Sequence, residues 1–151
     1  MGGLWQISLC ALALLLSAGS AAAQSSKEYA MMAKHAWAAF ECSSFASVAG
    51  DKKEQERLFQ YGYENGKEFL AALRENKIEQ AHLLDTVQLR FLSVARGPTM
   101  DFILGRVYEW AQGSAVKRVS SSEGGKERPE DVQTIIAKIQ FQKANCMLLG
   151  K

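Results

Sequence analysis

The sequence predicts an all-α fold: a single-domain bundle of about five helices, preceded by a cleaved signal peptide and closed by a disulfide between its first and last helices. Apolar residues recur at steps of three and four over several helix-length stretches, which is the spacing of amphipathic helices. No alternating pattern typical of a strand extends beyond about four residues. Two cysteines stand far apart in the part of the chain that follows the N-terminal apolar segment.

The first 23 residues differ in composition from the rest of the 151-residue chain, because they contain no charged side chain. Residues 7–16 form an apolar run, and the small residues Ala21 and Ala23 then satisfy the small-x-small rule for signal peptidase. The run is about ten residues long, too short to cross a bilayer of roughly 30 Å as a helix. We therefore predict a signal peptide over 1–23, cleavage before Gln24 and no stable membrane insertion afterwards; the alternative is an uncleaved N-terminal anchor.

Cleavage would remove Cys10 and leave two cysteines, Cys42 and Cys146. An even pair of cysteines in an exported chain is typical of a disulfide. The bond would close a loop of about 100 residues, for which the chain-entropy model gives roughly 4–5 kcal/mol of stabilisation. Two buried free thiols are the alternative, whereas the cysteines of a redox-active pair are usually closely spaced.

The first helix is predicted over 26–48, where apolar residues follow helical spacing until Gly50 ends the pattern. The second is predicted over 51–75, because a capping-box pattern opens it at Asp51 and Glu54. Both helices are long enough to carry much of the core of a small bundle.

The third helix is predicted over 78–94 from its apolar spacing. Pro98 followed by Thr99 is a typical helix start, so a fourth helix is predicted over 100–112. Within it, Gly105 is a candidate for the close approach of a neighbouring helix.

The helical pattern stops over 113–128, a stretch rich in serine, glycine and charged residues, which we predict to be a flexible exposed loop. Pro129 and the two acidic residues after it open a fifth helix that runs towards the end of the chain. The folded domain is predicted to span 24–151. The apolar residues of the fifth helix should face the core with Cys146: Val132, Ile135, Ile136 and Ile139.

Two segments are candidates for binding a partner. The first is the predicted loop, which carries four basic residues and no aromatic residue: Lys117, Arg118, Lys126 and Arg128. A merely solvated loop is the alternative interpretation. The second segment surrounds Gly62 and Gly66, one helical turn apart in the second helix. We interpret these glycines as a point of close helix packing with Tyr61 and Tyr63 at the core edge, or else as a shallow binding notch lined by the two tyrosines.

The sequence contains little that indicates catalysis. The formal net charge of +2 gives no argument for a nucleic-acid partner. Histidine occurs only as His35 and His82, and neither belongs to a known catalytic or metal-binding motif. Serine-hydrolase, phosphate-loop and C-x-x-C patterns do not occur. We therefore predict no catalytic residue, no metal and no cofactor.

These features favour a periplasmic or secreted, non-enzymatic helical protein that binds another protein, with an inhibitor or immunity-type protein as the most specific version. A signal peptide followed by a small helical domain with one long-range disulfide resembles the organisation of many small periplasmic proteins of Gram-negative bacteria. These include immunity proteins that neutralise secreted cell-wall toxins. The resemblance implies no site residues. A structural or assembly factor of the cell envelope is the alternative, and it should expose a large apolar patch. A small hydrolase ranks third and should have a deep pocket with titratable groups. The oligomeric state and the identity of the partner stay open.

Overall fold

The structure, a computed structural model, describes residues 24–122 and 124–151. This part of the chain is all-α, with six α-helices and a final 3-10 turn. The predicted signal peptide lies outside the described residues. The elements in chain order are α1 (Ser26–Ala49), α2 (Lys52–Arg74), α3 (Gln80–Thr86), α4 (Leu89–Val94), α5 (Met100–Ser120), α6 (Glu130–Lys143) and the 3-10 turn Cys146–Leu148.

The first helix, α1, lies at the centre of the bundle. Ser25 and Glu28 form a complete capping box at its start, in which the Glu28 carboxylate accepts a hydrogen bond from the Ser25 N–H at 2.6 Å. Gly50 ends the helix in the left-handed conformation, with φ of 80°. Helices α2, α3, α5 and α6 all contact α1. Small residues let these neighbours approach closely, and they are buried on several sides of the helix: Ala30, Ala33, Ala36, Ala39 and Ala46.

The close packing predicted at the two glycines of α2 is confirmed. A Cβ atom at Gly62 would lie 2.8 Å from the Phe40 ring of α1, and one at Gly66 would clash with Leu104 Cδ2 of α5. These two glycines therefore let α2 contact both neighbours at short range. The same prediction for Gly105 is wrong, because a Cβ atom there would meet no other heavy atom within 4 Å.

The single helix predicted over 78–94 is instead two short helices, α3 and α4. Val87 separates them in an extended conformation, with φ of −83° and ψ of 129°, and its side chain is buried. Thr86 and Val87 are both β-branched, and such residues favour extended over helical backbone. The apolar spacing predicts one continuous helix, which is wrong, and of its apolar residues Val87 and Phe91 are buried whereas Leu84 and Leu89 are exposed.

The flexible loop predicted over 113–128 is wrong in its first half, because α5 continues to Ser120. The burial of an apolar row outweighs the poor helix propensity of Gly113. The remaining connection to α6 is short, and Ser121 and Glu127 pair across it as an antiparallel bridge. The buried row follows four-residue steps along α5: Val107, Ala111, Ala115 and Val119.

The predicted disulfide between Cys42 and Cys146 is present, with the two Cα atoms 5.6 Å apart. The sequence pattern predicts that Cys146 belongs to the last helix, but α6 ends at Lys143. Cys146 instead opens the 3-10 turn that follows the helix. The bond fixes α1 to the C-terminal segment. Two hydrophobic clusters form the core of the described part of the chain, and the first lies where α1, α2, α4 and α5 meet, with Phe40, Phe69, Phe91 and Leu104 among its residues. The second cluster surrounds the disulfide: Phe45, Leu58, Ala115, Val119 and Ala137.

The last helix, α6, does not bury the apolar face predicted for it. Val132, Ile135 and Ile139 are exposed, Ile135 by 58%, whereas Ile136 and Ala137 contact the second cluster. The three exposed residues lie at helical spacing and are called the α6 stripe below. No helix among the described residues has both the length and the apolar character needed to span a membrane.

Candidate functional site

A groove of about 1010 Å³ opens beside α1, α4 and α5. Trp37 of α1 is only 3% exposed and lies at its base, whereas Trp110 of α5 is 57% exposed and lines its side. We call this surface the tryptophan groove. The residues that line it are Trp37, Arg90, Glu109, Trp110, Gly113, Ser114, Lys117, Arg118 and Ser121.

Helix α5 contributes one complete side of the tryptophan groove. Its lining residues recur at steps of three and four from Trp110 to Ser121, so they share a helix face. Eleven residues of helix rise by roughly 16 Å, which sets the length of the groove along α5. Gly113 and Ser114 keep its middle open, since a Cβ atom at Gly113 would meet nothing within 4 Å.

Basic side chains predominate around the tryptophan groove. Arg90, Lys117 and Arg118 line it, and the one acidic residue among the described lining residues is Glu109. Within 24–122 and 124–151, no carboxylate oxygen lies within the 4.0 Å salt-bridge distance of the Arg90 guanidinium or the Lys117 amine. These two cations are therefore available to a negatively charged ligand.

Arg118 is engaged inside the molecule. Its Nη2 atom lies 2.9 Å from Glu41 Oε1, and its guanidinium lies 5.2 Å from the centre of the Phe45 ring. Arg118 also lines a smaller groove of about 280 Å³ that follows α1 past Cys42. Arg118 therefore lies between two adjacent grooves and lines both of them. Its positive charge is balanced by the Glu41 carboxylate.

The structure divides the four basic residues predicted as one loop. Lys117 and Arg118 belong to α5 and line the tryptophan groove. Lys126 is exposed in the connection to α6. The Arg128 guanidinium donates to the Arg118 and Val119 carbonyl oxygens, at 3.3 Å and 2.9 Å, and so satisfies the C-terminal end of α5.

The two tyrosines of α2 point to different neighbours. The Tyr61 hydroxyl lies 3.4 Å from His35 Nδ1 of α1. The Tyr63 hydroxyl donates to Asp101 Oδ1 at 2.7 Å, and this hydrogen bond raises the pKa of Tyr63. Both rings are half-buried, with the buried Gly62 between them. They therefore do not line one common notch.

A serine, a histidine and a glutamate meet where α1 and α3 begin. Ser26 Oγ lies 2.7 Å from His82 Nδ1, and Glu79 Oε2 lies 4.0 Å from the same nitrogen. A hydrolytic triad instead needs the serine and the acid on opposite nitrogens of the ring. The Ser26 hydroxyl also accepts the Glu79 N–H at 2.8 Å, so this cluster joins the start of α1 to the start of α3. Across the described residues, no group of three or more His, Cys, Asp or Glu side chains is arranged to hold a metal ion.

Of the residues that line the tryptophan groove, only Lys117 and Arg118 were predicted as site residues, and the missed ones include Trp37, Arg90 and Trp110. The helical spacing of apolar residues predicts core positions for both tryptophans, which holds for the buried Trp37 and not for Trp110. Arg90 stands in the middle of the continuous helix predicted over 78–94. A signal for α5 was present, because Trp110, Gly113 and Lys117 follow the same three- and four-residue steps. That signal becomes visible only once α5 is extended beyond residue 112.

Comparisons with protein-family models, with curated proteins and with solved structures find no match to this chain. The chemistry of the tryptophan groove is thus the main guide to function.

Proposed function

We propose that this chain is an exported, non-enzymatic helical protein that binds another protein through the tryptophan groove. The observation that carries the proposal is the combination of Trp110, more than half exposed, with the cations Arg90 and Lys117 on one concave surface. Tryptophan and arginine are the residue types most enriched at the energetic centres of protein interfaces. An inhibitor or immunity-type protein is the most specific form of this function.

The dimensions of the groove favour a protein segment over a small molecule. Its volume of about 1010 Å³ is at the upper end of the range for small-molecule pockets, roughly 300–1,000 Å³. The groove is also elongated, because its α5 side extends over roughly 16 Å. A helix or an extended segment of a partner would fill such a trough along its length.

Export is supported by two features of the chain. Residues 1–23 have the composition of a signal peptide, and the Cys42–Cys146 bond needs an oxidising compartment such as the periplasm or the extracellular space. The intact mass of the protein purified from the periplasm or the medium tests export directly. We expect a chain that begins at Gln24; retention of 1–23 would contradict the proposed cleavage.

A specific observation favours a second function, a structural or assembly factor of the envelope. The α6 stripe exposes Val132, Ile135 and Ile139 together, and contiguous exposed apolar side chains often mark interaction surfaces. The exposed loop predicted over 113–128 as a partner-binding segment is also shorter than predicted, because α5 continues to Ser120. A protein of the inhibitor type would contact its partner through the tryptophan groove, whereas an assembly factor would use the α6 stripe. The experiment therefore alters each surface separately.

The test is affinity capture from an envelope extract with variants that alter one surface at a time. Gly113→Leu would fill the middle of the tryptophan groove, and Gly105→Leu is its matched control, because both glycines lie in α5 and face open space. Ile135→Glu with Ile139→Glu would alter the α6 stripe. Captured proteins are identified by mass spectrometry after each variant has been shown to retain its helical content.

We expect wild type and Gly105→Leu to capture the same protein and Gly113→Leu to lose it. Capture that survives Gly113→Leu but is lost with the α6 double variant would favour the assembly factor. Capture that survives both variants would contradict both proposed surfaces.

A further inference from the structure

We infer that the tryptophan groove accepts an acidic segment of its partner protein, with a large apolar side chain against the tryptophans and carboxylates at Arg90 and Lys117. The inference rests on the proposed function and adds the chemistry of the bound segment.

The charge around the groove selects for an acidic ligand. Arg118 is balanced by Glu41 at 2.9 Å, so among the described lining residues Arg90 and Lys117 stand against one carboxylate, that of Glu109. An incoming lysine or arginine would add to this positive excess, whereas a carboxylate would reduce it. Exposed ion pairs contribute little affinity by themselves, but complementary charge sets partner choice and association rate.

The apolar part of the groove supplies the larger share of affinity. Trp110 leaves more than half of its surface exposed in the free protein, and aromatic side chains of this size gain most from being covered. The open space beside Gly113 adjoins it along α5. A leucine, methionine or aromatic side chain of the partner would occupy that space and cover Trp110.

The arrangement along α5 sets the spacing within the bound segment. Trp110 and Lys117 are seven residues apart, which is two helical turns or roughly 10 Å. An apolar residue and an acidic residue of the partner must therefore be separated by a similar distance. That corresponds to about three residues in an extended segment or about seven in a helix.

A random peptide library displayed on phage tests this chemistry without a known partner. The protein is expressed from its full coding sequence with its own leader and purified as the cell processes it. Twelve-residue peptides are selected on it and sequenced. We expect enrichment of peptides that combine a large apolar residue with aspartate or glutamate at the spacing above.

Charge variants then assign the selected peptides to the groove. Lys117→Glu and Arg90→Glu each reverse one cation of the groove, and Lys138→Glu is the matched control, because Lys138 is an exposed lysine of α6 that does not line the groove. We expect each groove variant to weaken the enriched peptides by roughly tenfold or more and Lys138→Glu to change their affinity by less than about twofold. Raising the salt concentration should weaken binding to wild type, because exposed charges are screened.

Tryptophan fluorescence gives a second readout. Trp37 and Trp110 are the only tryptophans besides Trp5, so in the Trp5→Phe protein the whole signal arises from the groove. A peptide that covers Trp110 should shift the emission to shorter wavelength. Gly113→Leu should abolish this shift, and Gly105→Leu should leave it unchanged.

Several outcomes would overturn the inference. No enriched peptide, enrichment without an excess of acidic residues, or peptides that bind Lys117→Glu and Arg90→Glu as well as wild type would each contradict an acidic segment. Saturation of the fluorescence change by inorganic phosphate alone would indicate a small anion instead. If envelope capture is still lost with Gly113→Leu in any of these cases, the proposed function stands and only the acidic chemistry fails; if capture also survives Gly113→Leu, the proposed function fails as well.

Discussion

Helices α1 and α6 both carry apolar residues at helical spacing, but the bundle uses them in opposite ways. Eleven residues of α1 are buried, among them many alanines, whereas α6 buries Ala137 alone. Four other helices cover α1, while α6 lies against α1 and α5 at the outside. The comparison teaches that apolar spacing identifies a helix, whereas the position in the bundle decides how much of that helix is covered.

The small residues of α1 explain why it occupies the centre. Alanine and glycine let helix backbones approach closely. The interior of a protein then reaches the packing density of crystals of small organic molecules. The bulky side chains of the α6 stripe add apolar surface that no described element covers. Helix α6 is therefore joined to the bundle by its inner face, which carries Ile136 and Ala137, and by the disulfide after its C-terminus.

The largest effect is expected from removing that disulfide. The double variant Cys42→Ala with Cys146→Ala should lower the free energy of unfolding by about 2–5 kcal/mol, because the bond spans 104 residues of sequence. Urea denaturation measures the loss. Hydrogen exchange should also rise more in α6 than in α1.

The control for this prediction is a reducing agent. It should destabilise wild type and leave the double variant unchanged. Equal stability of wild type and variant, or equal exchange in α1 and α6, would mean that α6 is held by its packing after all.

The second largest effect on stability is expected where α2 packs closely against α1 at Gly62. Gly62→Ala should lower the free energy of unfolding by about 1–3 kcal/mol through overpacking, because the added Cβ atom would press on the buried Phe40 ring and lie 3.2 Å from the Ala36 carbonyl oxygen. Gly105→Ala faces open space in α5 and should instead raise stability by up to about 1 kcal/mol. The two changes add the same methyl group, so thermal melts of both variants give opposite signs. A stabilising Gly62→Ala would show that the helices have room to spare at this crossing.

Much of the fold could be predicted from residues that act locally. Ser25 with Glu28 starts α1, Gly50 ends it, and Thr99 starts α5 by accepting the Phe102 N–H at 3.2 Å. These signals depend on the nearest turn of backbone and so are visible in the sequence. The all-α class and the disulfide followed from equally simple rules.

The errors lie where tertiary contacts decide. Gly113 looked like the end of a helix, but burial of Ala115 and Val119 extends α5 past it. The α6 stripe looked like a core face, but no described element covers it. The tryptophan groove was only partly predictable: Lys117 and Arg118 were predicted in a loop and lie in α5, and Trp110, at an apolar position of the helical pattern, is exposed. A groove formed by three helices leaves a periodic pattern for its α5 side only, and the pairing of that side with Trp37 and Arg90 depends on tertiary contacts.

The third effect is smaller and depends on pH, and it tests how the end of the chain is held beside α6. The Arg57 guanidinium contacts the Glu54 carboxylate at 2.7 Å and donates to the carbonyl oxygens of Cys146 and Leu149. The hydrogen bond from Arg57 lowers the pKa of Glu54 below its ordinary value of 4.5. A carboxyl group with a lowered pKa stabilises the fold above its unfolded pKa, and this contribution is lost as the pH falls below 4.5 through the folded value.

Glu54→Gln should therefore lose up to about 1 kcal/mol of stability at neutral pH and show a weaker fall in stability between pH 5 and pH 3 than wild type. The exposed neighbour Glu56 provides the matched control, because Glu56→Gln removes one carboxylate from the same helix. Urea denaturation at several pH values measures both. Identical pH profiles for wild type and Glu54→Gln would show that the Arg57 contact does not stabilise the C-terminal segment.

The smallest effect is expected at the α6 stripe itself. Ile135 and Ile136 are adjacent and identical, but Ile135 is 58% exposed and Ile136 contacts the second hydrophobic cluster. Ile135→Ala should change the free energy of unfolding by less than about 0.5 kcal/mol, as is usual for surface positions. Ile136→Ala should cost clearly more, because it removes apolar atoms from contacts with the core. Thermal melts of the two variants compare the outer and inner faces of one helix. An equal or larger loss at Ile135 would mean that the stripe is covered in solution and that α6 resembles α1 more closely than the isolated chain indicates.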